Sequence, residues 1–273
     1  MRKIDVAFIG GGNMATSLIG GLLSNGLPSN RITVSDPAEA QLERLRARFG
    51  VKTTSSNTAA LSAADVGVLA VKPQQLARVA EEIAPALKSD RKLMISIAAG
   101  IRLQDLQRWL GTSCAVVRAM PNRPALVGAG VTALVAGQSV TPQERSDSES
   151  ILGACGKTVW LGDESGMDAV TAISGSGPAY FFLLIEALEQ SGIELGLPPA
   201  TARLLATETA RGAGRMAALG PEPPAELRMQ VTSAGGTTAA ALAVLEQADV
   251  RGIFSKAVTA AARRSAELAE EYG

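Results

Sequence analysis

The sequence predicts an α/β fold in which a doubly wound parallel sheet is followed by an all-α domain. From Ile4 to about Leu161, short apolar runs alternate with longer amphipathic stretches, which is typical of βαβ units. After Leu161 apolar residues recur at helical spacing, as in Phe181, Leu184, Ile185 and Leu188. The chain has 273 residues, of which 47% are hydrophobic, so it is long enough for one large domain or two smaller ones.

Five apolar runs of the first part are near-continuous in Val, Ile, Leu and Ala, as expected of strands covered by helices on both faces. They are Ile4–Gly10, Ile32–Ser35, Val66–Val71, Leu93–Ile97 and Ala115–Ala119, and Val131–Val135 and Thr158–Leu161 are candidates for two more. Between them lie helix candidates that are long enough for the crossovers of a parallel sheet: Asn13–Asn25, Ala38–Phe49, Gln74–Leu87 and Leu103–Leu110.

The second part is predicted to be helical, with prolines near 198–199 and 221–224 placed to open new helices. One predicted helix, Ala202–Leu219, carries the small residues Ala206, Ala210 and Gly214 four positions apart, a pattern compatible with a dimer interface. We place the boundary near Gly162, which gives domains at residues 1–162 and 163–273.

Composition narrows the class of protein. The chain has 26 Lys and Arg against 26 Asp and Glu, so it lacks the positive field that nucleic-acid and anionic-membrane binders use. No uninterrupted apolar run reaches the roughly 18 residues of a membrane helix, and residues 1–3 lead into a strand without a signal-peptide core. We therefore expect a cytoplasmic protein, with Cys114 and Cys155 as buried thiols. The absence of histidine removes the commonest acid–base side chain and any His-ligated metal, and we expect no metal site.

The first predicted strand runs into Gly10-Gly11-Gly12-Asn13-Met14-Ala15, which matches G-x-G-x-x-[GA] at the start of a helix. Gly10 permits the tight turn, Gly12 lets backbone N–H groups approach a pyrophosphate, and Ala15 allows close contact between helix and strand. In this context the motif predicts a Rossmann-type dinucleotide-binding domain. The alternative is a glycine-rich turn that binds no ligand.

Other strand ends should meet at the same edge of the sheet. The tip of the second strand, Ser35-Asp36, is ambiguous: an acid favours the 2′-hydroxyl of NAD, whereas Ser35, Arg31 or Arg44 would suit a 2′-phosphate, and Asp36 is equally compatible with a solvated turn. Val71-Lys72-Pro73 also ends a strand, with Lys72 facing either the cofactor or solvent. The segments Ser96–Gly100 and Arg118–Pro124 follow strands as well.

Two segments of the helical part are unusually rich in glycine and hydroxyl groups. In Ser174-Gly175-Ser176-Gly177-Pro178 the proline cannot donate to Ser174, so a helix through this segment should be kinked or opened, unless the segment is only a helix-packing notch. Gly235-Gly236-Thr237-Thr238 precedes an apolar helix. Its amides would suit an anion such as a carboxylate, and an ordinary threonine cap is the alternative.

Together these segments resemble the Δ1-pyrroline-5-carboxylate reductase family. The similarity extends over Phe8–Met14, Ala70–Pro73, Ile97–Gly100, Met120–Asn122, Ala172–Tyr180 and Val231–Thr238, of which the last two are the most specific. The chain departs from the family pattern at Ala234, where the family usually has proline, and at Arg123, where threonine is common. The resemblance implies a Rossmann domain joined to an all-α dimerisation domain, and NADPH-dependent reduction of Δ1-pyrroline-5-carboxylate to L-proline, with NADH also possible.

The family pattern also implies roles for individual residues. Ser233 and the amides of Gly235, Gly236, Thr237 and Thr238 would hold the substrate carboxylate, and the Thr238 hydroxyl would meet the ring nitrogen. Ala98, Met120 and Asn122 would bound the nicotinamide crevice, and Asn57 would contact the adenosine ribose. These join the cofactor positions Gly10, Gly12, Asn13, Met14, Ser35, Val71, Lys72 and Pro73. The alternative is a β-hydroxyacid dehydrogenase, which uses a helix lysine that this chain lacks between Lys157 and Lys256.

Overall fold

An eight-stranded sheet forms the first part of the protein in a computed structural model that describes residues 4–88, 90–111 and 114–273. Residues 1–3, on which the expectation of no signal peptide rests, lie outside this range. The strands are β1 (Val6–Ile9), β2 (Ile32–Ser35), β3 (Lys52–Thr54), β4 (Val66–Leu69), β5 (Leu93–Ser96), β6 (Ala115–Met120), β7 (Gly130–Ala136) and β8 (Gly156–Trp160).

Helices connect the strands and make up the rest of the chain. They are α1 (Asn13–Ser24), α2 (Glu39–Phe49), α3 (Asn57–Ser62), α4 (Pro73–Leu87), α5 (Leu103–Leu110), α6 (Pro142–Leu152), α7 (Met167–Val170), α8 (Gly177–Glu194), α9 (Pro199–Leu219), α10 (Pro224–Gln230), α11 (Thr237–Gln247) and α12 (Val250–Tyr272). A π-helical turn, Thr171–Gly175, separates α7 from α8, as the position of Pro178 predicts.

The strand order is β3-β2-β1-β4-β5-β6-β7-β8, and all pairs from β3 to β6 are parallel. The order of the strands therefore changes direction at β1: β2 and β3 lie on one side of it, and β4, β5 and β6 lie on the other. This is the doubly wound arrangement that the sequence predicts, and it places a ligand crevice at the carboxyl end of β1.

Two features of the sheet go beyond the sequence prediction. Strand β7 pairs antiparallel with β6, because residues 121–129 are too few for the crossover that a parallel pair needs. Strand β3 was not predicted, since Lys52–Thr54 is a short edge strand without an apolar run. The antiparallel pair corrects the expectation of a parallel sheet, because β7 and β8 run opposite to the other six strands.

Helices cover both faces of the sheet. One face packs Phe8, Val34 and Val68 against α1, and the other packs Ile9, Leu69 and Met94 against α4 and α5. These side chains are fully buried on both faces, which explains why the strands are apolar at consecutive positions rather than at alternate ones. Cys114 and Cys155 are buried free thiols, as expected.

Packing divides the chain into two compact units: Met1–Gly175 with Ala261–Gly273, and Ser176–Ala260. The division falls after residue 175 because Met167 is fully buried beside Ala133 and Val135 of β7. The end of α12 also belongs to the first unit, where Ser265 donates a hydrogen bond to Asp168 at 2.6 Å. The boundary at residues 162–163 remains a prediction about function rather than packing.

In the second unit α8 packs against α9 through small residues. A Cβ on Gly192 would lie 3.1 Å from the Cβ of Ala202, and Ala202 and Ala206 are buried. Large apolar side chains stay exposed, among them Phe181 at 66% and Leu204 at 62%. So much exposed apolar surface is typical of an interface.

By length and composition alone, one helical stretch of the described residues, Glu164–Glu194, is long and apolar enough to cross a membrane. It is not a single regular helix, since it contains a 3₁₀ turn, α7, the π-helical turn and α8.

Candidate active site

The carboxyl ends of five parallel strands lie side by side and collect most of the predicted cofactor residues. Ile9 pairs with Ser35 on one side and with Leu69 on the other, so the loop after β1 runs between the tips of β2 and β4. Ser96 lies beside Leu69 and Arg118. The segments that begin at Gly10, Ser35, Ala70, Ile97 and Met120 therefore share one edge of the first unit.

The glycine loop fits a dinucleotide pyrophosphate. Gly10 has a φ of +99°, and a Cβ there would lie 2.8 Å from the carbonyl oxygen of Ala70, so only glycine fits the turn. Gly12 caps α1 in an extended conformation without a side-chain hydrogen bond, and a Cβ on it would meet no atom within 4 Å. The first amides of α1, which include those of Asn13 and Met14, thus adjoin open space at the positive end of the helix.

Two side chains of the second βα unit hold this loop in place. The Asp36 carboxylate accepts hydrogen bonds from the amides of Gly11 and Ala38, both at 2.9 Å. Gln41 donates to the Gly11 carbonyl oxygen at 2.5 Å. Asp36 is thus built into the turn, and Gln41 is a loop contact that no sequence motif indicates.

Ser35 is fully buried, and its hydroxyl donates to Asn57 Oδ1 at 2.8 Å. The Nδ2 atom of Asn57 lies 3.2 Å from both carboxylate oxygens of Glu82 on α4. Ser35 therefore orients Asn57 and does not itself reach solvent. Glu82 was not foreseen, because a glutamate on a helix carries no sequence signal of such a contact.

The basic residues considered for a 2′-phosphate lie in different places. Arg31 precedes β2 and pairs with Asp5 at 3.1 Å. This pair lies at the amino end of the strands, which is the edge opposite to the one expected to bind the cofactor. Arg44 is exposed on α2. Lys72 is exposed at the N-cap of α4, between Val71 and Pro73, where its side chain makes no capping bond.

The residues that follow β5 and that end and follow β6 pack closely within the first unit. Ala98 is buried, and a Cβ on Gly175 would lie 2.6 Å from Met120 Cε. Asn122 is 8% exposed, accepts from the Val131 amide at 2.9 Å and donates to the Ser174 carbonyl oxygen at 3.2 Å.

Glu164 supports the same region from the 3₁₀ turn before α7. One of its carboxylate oxygens lies 2.6 Å from the buried Arg118 guanidinium and 2.8 Å from the Leu103 amide at the start of α5. No sequence motif indicates the Arg118–Glu164 pair, because its two residues are 46 positions apart.

In the second unit, residues 232–237 form the turn that opens α11. Gly235 has a φ of +70°, the Gly236 amide donates to the Ser233 carbonyl oxygen at 3.1 Å, and the Ser233 hydroxyl lies over Gly236. Gly236 caps the helix without a side-chain bond. The amides that lack an intrahelical partner are therefore those of Thr237, Thr238 and Ala239, whereas that of Gly236 is engaged within the turn, and neither threonine is the cap.

Among the described residues, no group of three or more Cys, Asp and Glu side chains is placed to hold a metal ion. The arrangement offers two helix starts with free amides, hydroxyl groups and a glycine loop. Free amides at a helix start suit the binding of anionic ligands.

Comparison with known proteins agrees with this geometry. Residues 164–268 match the family model for pyrroline-5-carboxylate reductase dimerisation, and residues 5–100 match the model for coenzyme F420-dependent NADP oxidoreductases. The first match includes the apolar stretch Glu164–Glu194. The exposed apolar residues of α8 and α9 thus lie within the region that matches a dimerisation model.

Full-length relatives give the same result. The chain is 47% identical over 273 residues to the pyrroline-5-carboxylate reductase of Pseudomonas aeruginosa, with 100% of both chains covered. It is 42% identical to that of Pisum sativum, with 96% and 95% covered. These relatives favour the reductase over the β-hydroxyacid dehydrogenase alternative.

Solved structures of the same name superpose closely. A pyrroline-5-carboxylate reductase from Coxiella burnetii is 43% identical with a TM-score of 0.94, and covers 98% of this chain and 99% of its own. The Plasmodium falciparum enzyme, solved with NADP bound, is 31% identical with a TM-score of 0.86, and covers 98% and 99%. The chain therefore belongs to the pyrroline-5-carboxylate reductase family.

Proposed function

We propose that this protein reduces Δ1-pyrroline-5-carboxylate to L-proline with NADPH or NADH, the last step of proline biosynthesis. The observation that carries the proposal is the 47% identity over the whole of both chains to a reductase of that name. The glycine loop and the turn before α11 supply the two anion-binding features that the reaction needs.

We assign the cofactor to the carboxyl edge of the sheet. Gly10, Gly12, Asn13 and Met14 would hold its pyrophosphate at the start of α1. Asn57, oriented by Ser35 and Glu82, would contact the adenosine ribose. Further along the same edge, Val71, Lys72, Pro73, Ala98, Met120 and Asn122 would border the nicotinamide side. When bound, the cofactor supplies the hydride that reduces the C=N bond.

We assign the substrate to the turn before α11. Ser233 and the backbone of Gly235 to Thr238 would surround the carboxylate, with the amides of Thr237 and Thr238 as donors. The Thr238 hydroxyl would hydrogen-bond the ring nitrogen, which takes up a proton as the neighbouring carbon gains hydride. Because a cyclic imine protonates readily, orientation and anion binding can provide much of the acceleration without a histidine.

We further propose that residues 1–162 serve cofactor binding, and that residues 163–273 serve dimerisation and substrate binding. A homodimer or higher homo-oligomer would cover the exposed apolar residues of α8 and α9. The balanced charge supports an enzyme that needs no nucleic-acid or anionic-membrane partner, and we propose a cytoplasmic location for it.

The test is a spectrophotometric assay of purified protein with Δ1-pyrroline-5-carboxylate and NADPH or NADH. We expect loss of nicotinamide absorbance, with proline as the identified product. The same protein with 3-hydroxyisobutyrate and NAD should give no signal. Activity in that second assay, without turnover of the pyrroline, would instead support the β-hydroxyacid dehydrogenase.

A further inference from the structure

The carbonyl group of Ser174 lies where the helical chain loses a backbone donor. In an α-helix this oxygen would accept from the N–H of residue 178, but residue 178 is proline and has no N–H. The next amide, that of Ala179, donates to the Ser176 carbonyl oxygen at 2.9 Å. The donors that a helix would offer Ser174 are therefore missing or used elsewhere.

Asn122 supplies the missing donor from outside the helix. Its Nδ2 atom donates to the Ser174 carbonyl oxygen at 3.2 Å, and its Oδ1 atom accepts from the Val131 amide at 2.9 Å. These partners fix the orientation of the side-chain amide, because an N–H group faces one end and a carbonyl the other. Since the side chain is only 8% exposed, water competes little for either bond.

The segment that Asn122 holds is the π-helical turn Thr171–Gly175. The hydroxyls of Thr171 and Ser174 donate back to the carbonyl oxygens four residues earlier, at 2.9 and 3.1 Å, a pattern that bends helices. Gly175 of the same turn lies against Met120. The end of β6, through Met120, and the loop after it, through Asn122, thus both contact the turn.

We propose that Asn122 is a positioning residue, which replaces the hydrogen bond that Pro178 removes and so holds the loop after β6 against the π-helical turn. The inference rests on the proposed function, because that loop ends at the sheet edge assigned to the nicotinamide. Loss of Asn122 then affects cofactor use through the position of the loop, since both ends of its amide are already engaged within the protein.

The test introduces an N–H group at position 178, where proline has none. Asn122→Ala and the nearly isosteric Asn122→Leu both remove the donor to Ser174 and the acceptor for Val131 without adding a charge. Each change is made with Pro178 and again with Pro178→Ala, which provides an N–H at position 178. Ser148→Ala is the matched control, because that buried hydroxyl donates within α6, to the Glu144 carbonyl oxygen at 2.7 Å.

With Pro178 present, we expect either Asn122 change to lower kcat/KM for NADPH about 10-fold, mainly through KM, and to lower the melting temperature by several degrees. With Pro178→Ala, the same change should cost no more than about 3-fold, and at least half of the lost melting temperature should return. The control should lose the same amount in both backgrounds.

Equal losses in the two backgrounds would overturn the proposal, and so would double variants that fail to fold, because the restored N–H should replace the lost one. Melting requires no substrate, so it tests the proposal even where the enzyme fails to turn over the pyrroline. That failure alone would count against the proposed function and leave the coupling of Asn122 with residue 178 to be judged on stability.

Discussion

Replacement of Thr238 by alanine should lower kcat by roughly 10–100-fold, or about 1.4–2.7 kcal/mol, with a smaller effect on the KM of the cofactor. The reason is that its hydroxyl is assigned to the ring nitrogen, whose charge changes as hydride arrives. A hydrogen bond of this kind acts mainly in the transition state.

The structure separates this effect from an effect on stability. Thr238 is the second residue of α11, whose cap is Gly236, and no side chain caps this helix. Loss of a true threonine cap would cost about 1 kcal/mol. Here alanine removes no cap, and its helix propensity is higher than that of threonine. The melting temperature should therefore stay within about two degrees of the wild-type value or rise slightly.

The assay compares Thr238→Ala, Thr238→Val and Thr238→Ser under saturating NADPH and Δ1-pyrroline-5-carboxylate, with thermal melting of each protein. Serine keeps the hydroxyl and should retain much of the activity, whereas valine keeps the shape and should not. If Thr238→Ala melts several degrees lower but keeps a near-normal kcat on its folded fraction, the catalytic assignment is wrong and the residue serves the helix start.

Three further outcomes are expected. NADPH should be used at least as well as NADH, because both Asp36 oxygens already accept backbone amides; a clear NADH preference that Asp36→Ser reverses would place that carboxylate on the ribose instead. Burial raises the pKa of Glu144, but hydrogen bonds from Arg91 and Thr141 outweigh this and hold it below its ordinary value. This group therefore stabilises the fold above about pH 4 and less as pH falls further, so the melting difference between wild type and Glu144→Gln should shrink in acid; a constant difference would contradict this. Finally, we expect the Ser233–Thr238 segment to complete the site of a partner subunit in the proposed homodimer, so mixed Gly12→Asp and Thr238→Ala subunits should regain some activity; no recovery despite proven subunit exchange would argue for a site contained in one chain.

Local chemistry made much of the first unit predictable. The apolar runs and the glycine loop depend on neighbouring residues only, so β1, α1 and the turn between them follow from the sequence. The opened helix before Pro178 follows equally directly, because a missing N–H is a property of one residue.

What the sequence could not give depends on distant contacts. The tip of β2 was ambiguous because the role of Asp36 depends on its bond to Gly11, which is 25 positions away. The pairs of Asn57 with Glu82 and of Arg118 with Glu164 link separate elements in the same way. Strand β7 was found, but its direction depends on the length of the connection, which the apolar pattern does not report.

The capping of the helices suggests how a chain without histidine can serve this reaction. Helices α3 and α6 begin with their own side-chain caps, Ser56 and Thr141, and the first amide of α5 is satisfied by Glu164. Side-chain caps are missing from α1, α2, α4, α9, α10 and α11, but of these only α1 and α11 begin at extended glycines.

A serine or aspartate at either glycine would occupy the amides that an anionic ligand needs. Glycine leaves those donors to the ligand, and their field acts on negative charge without any change of protonation. The two helix starts assigned to the pyrophosphate and to the substrate carboxylate thus share one device. Because backbone amides do not titrate near neutral pH, binding at both should depend on the charge of the ligands rather than on that of the protein.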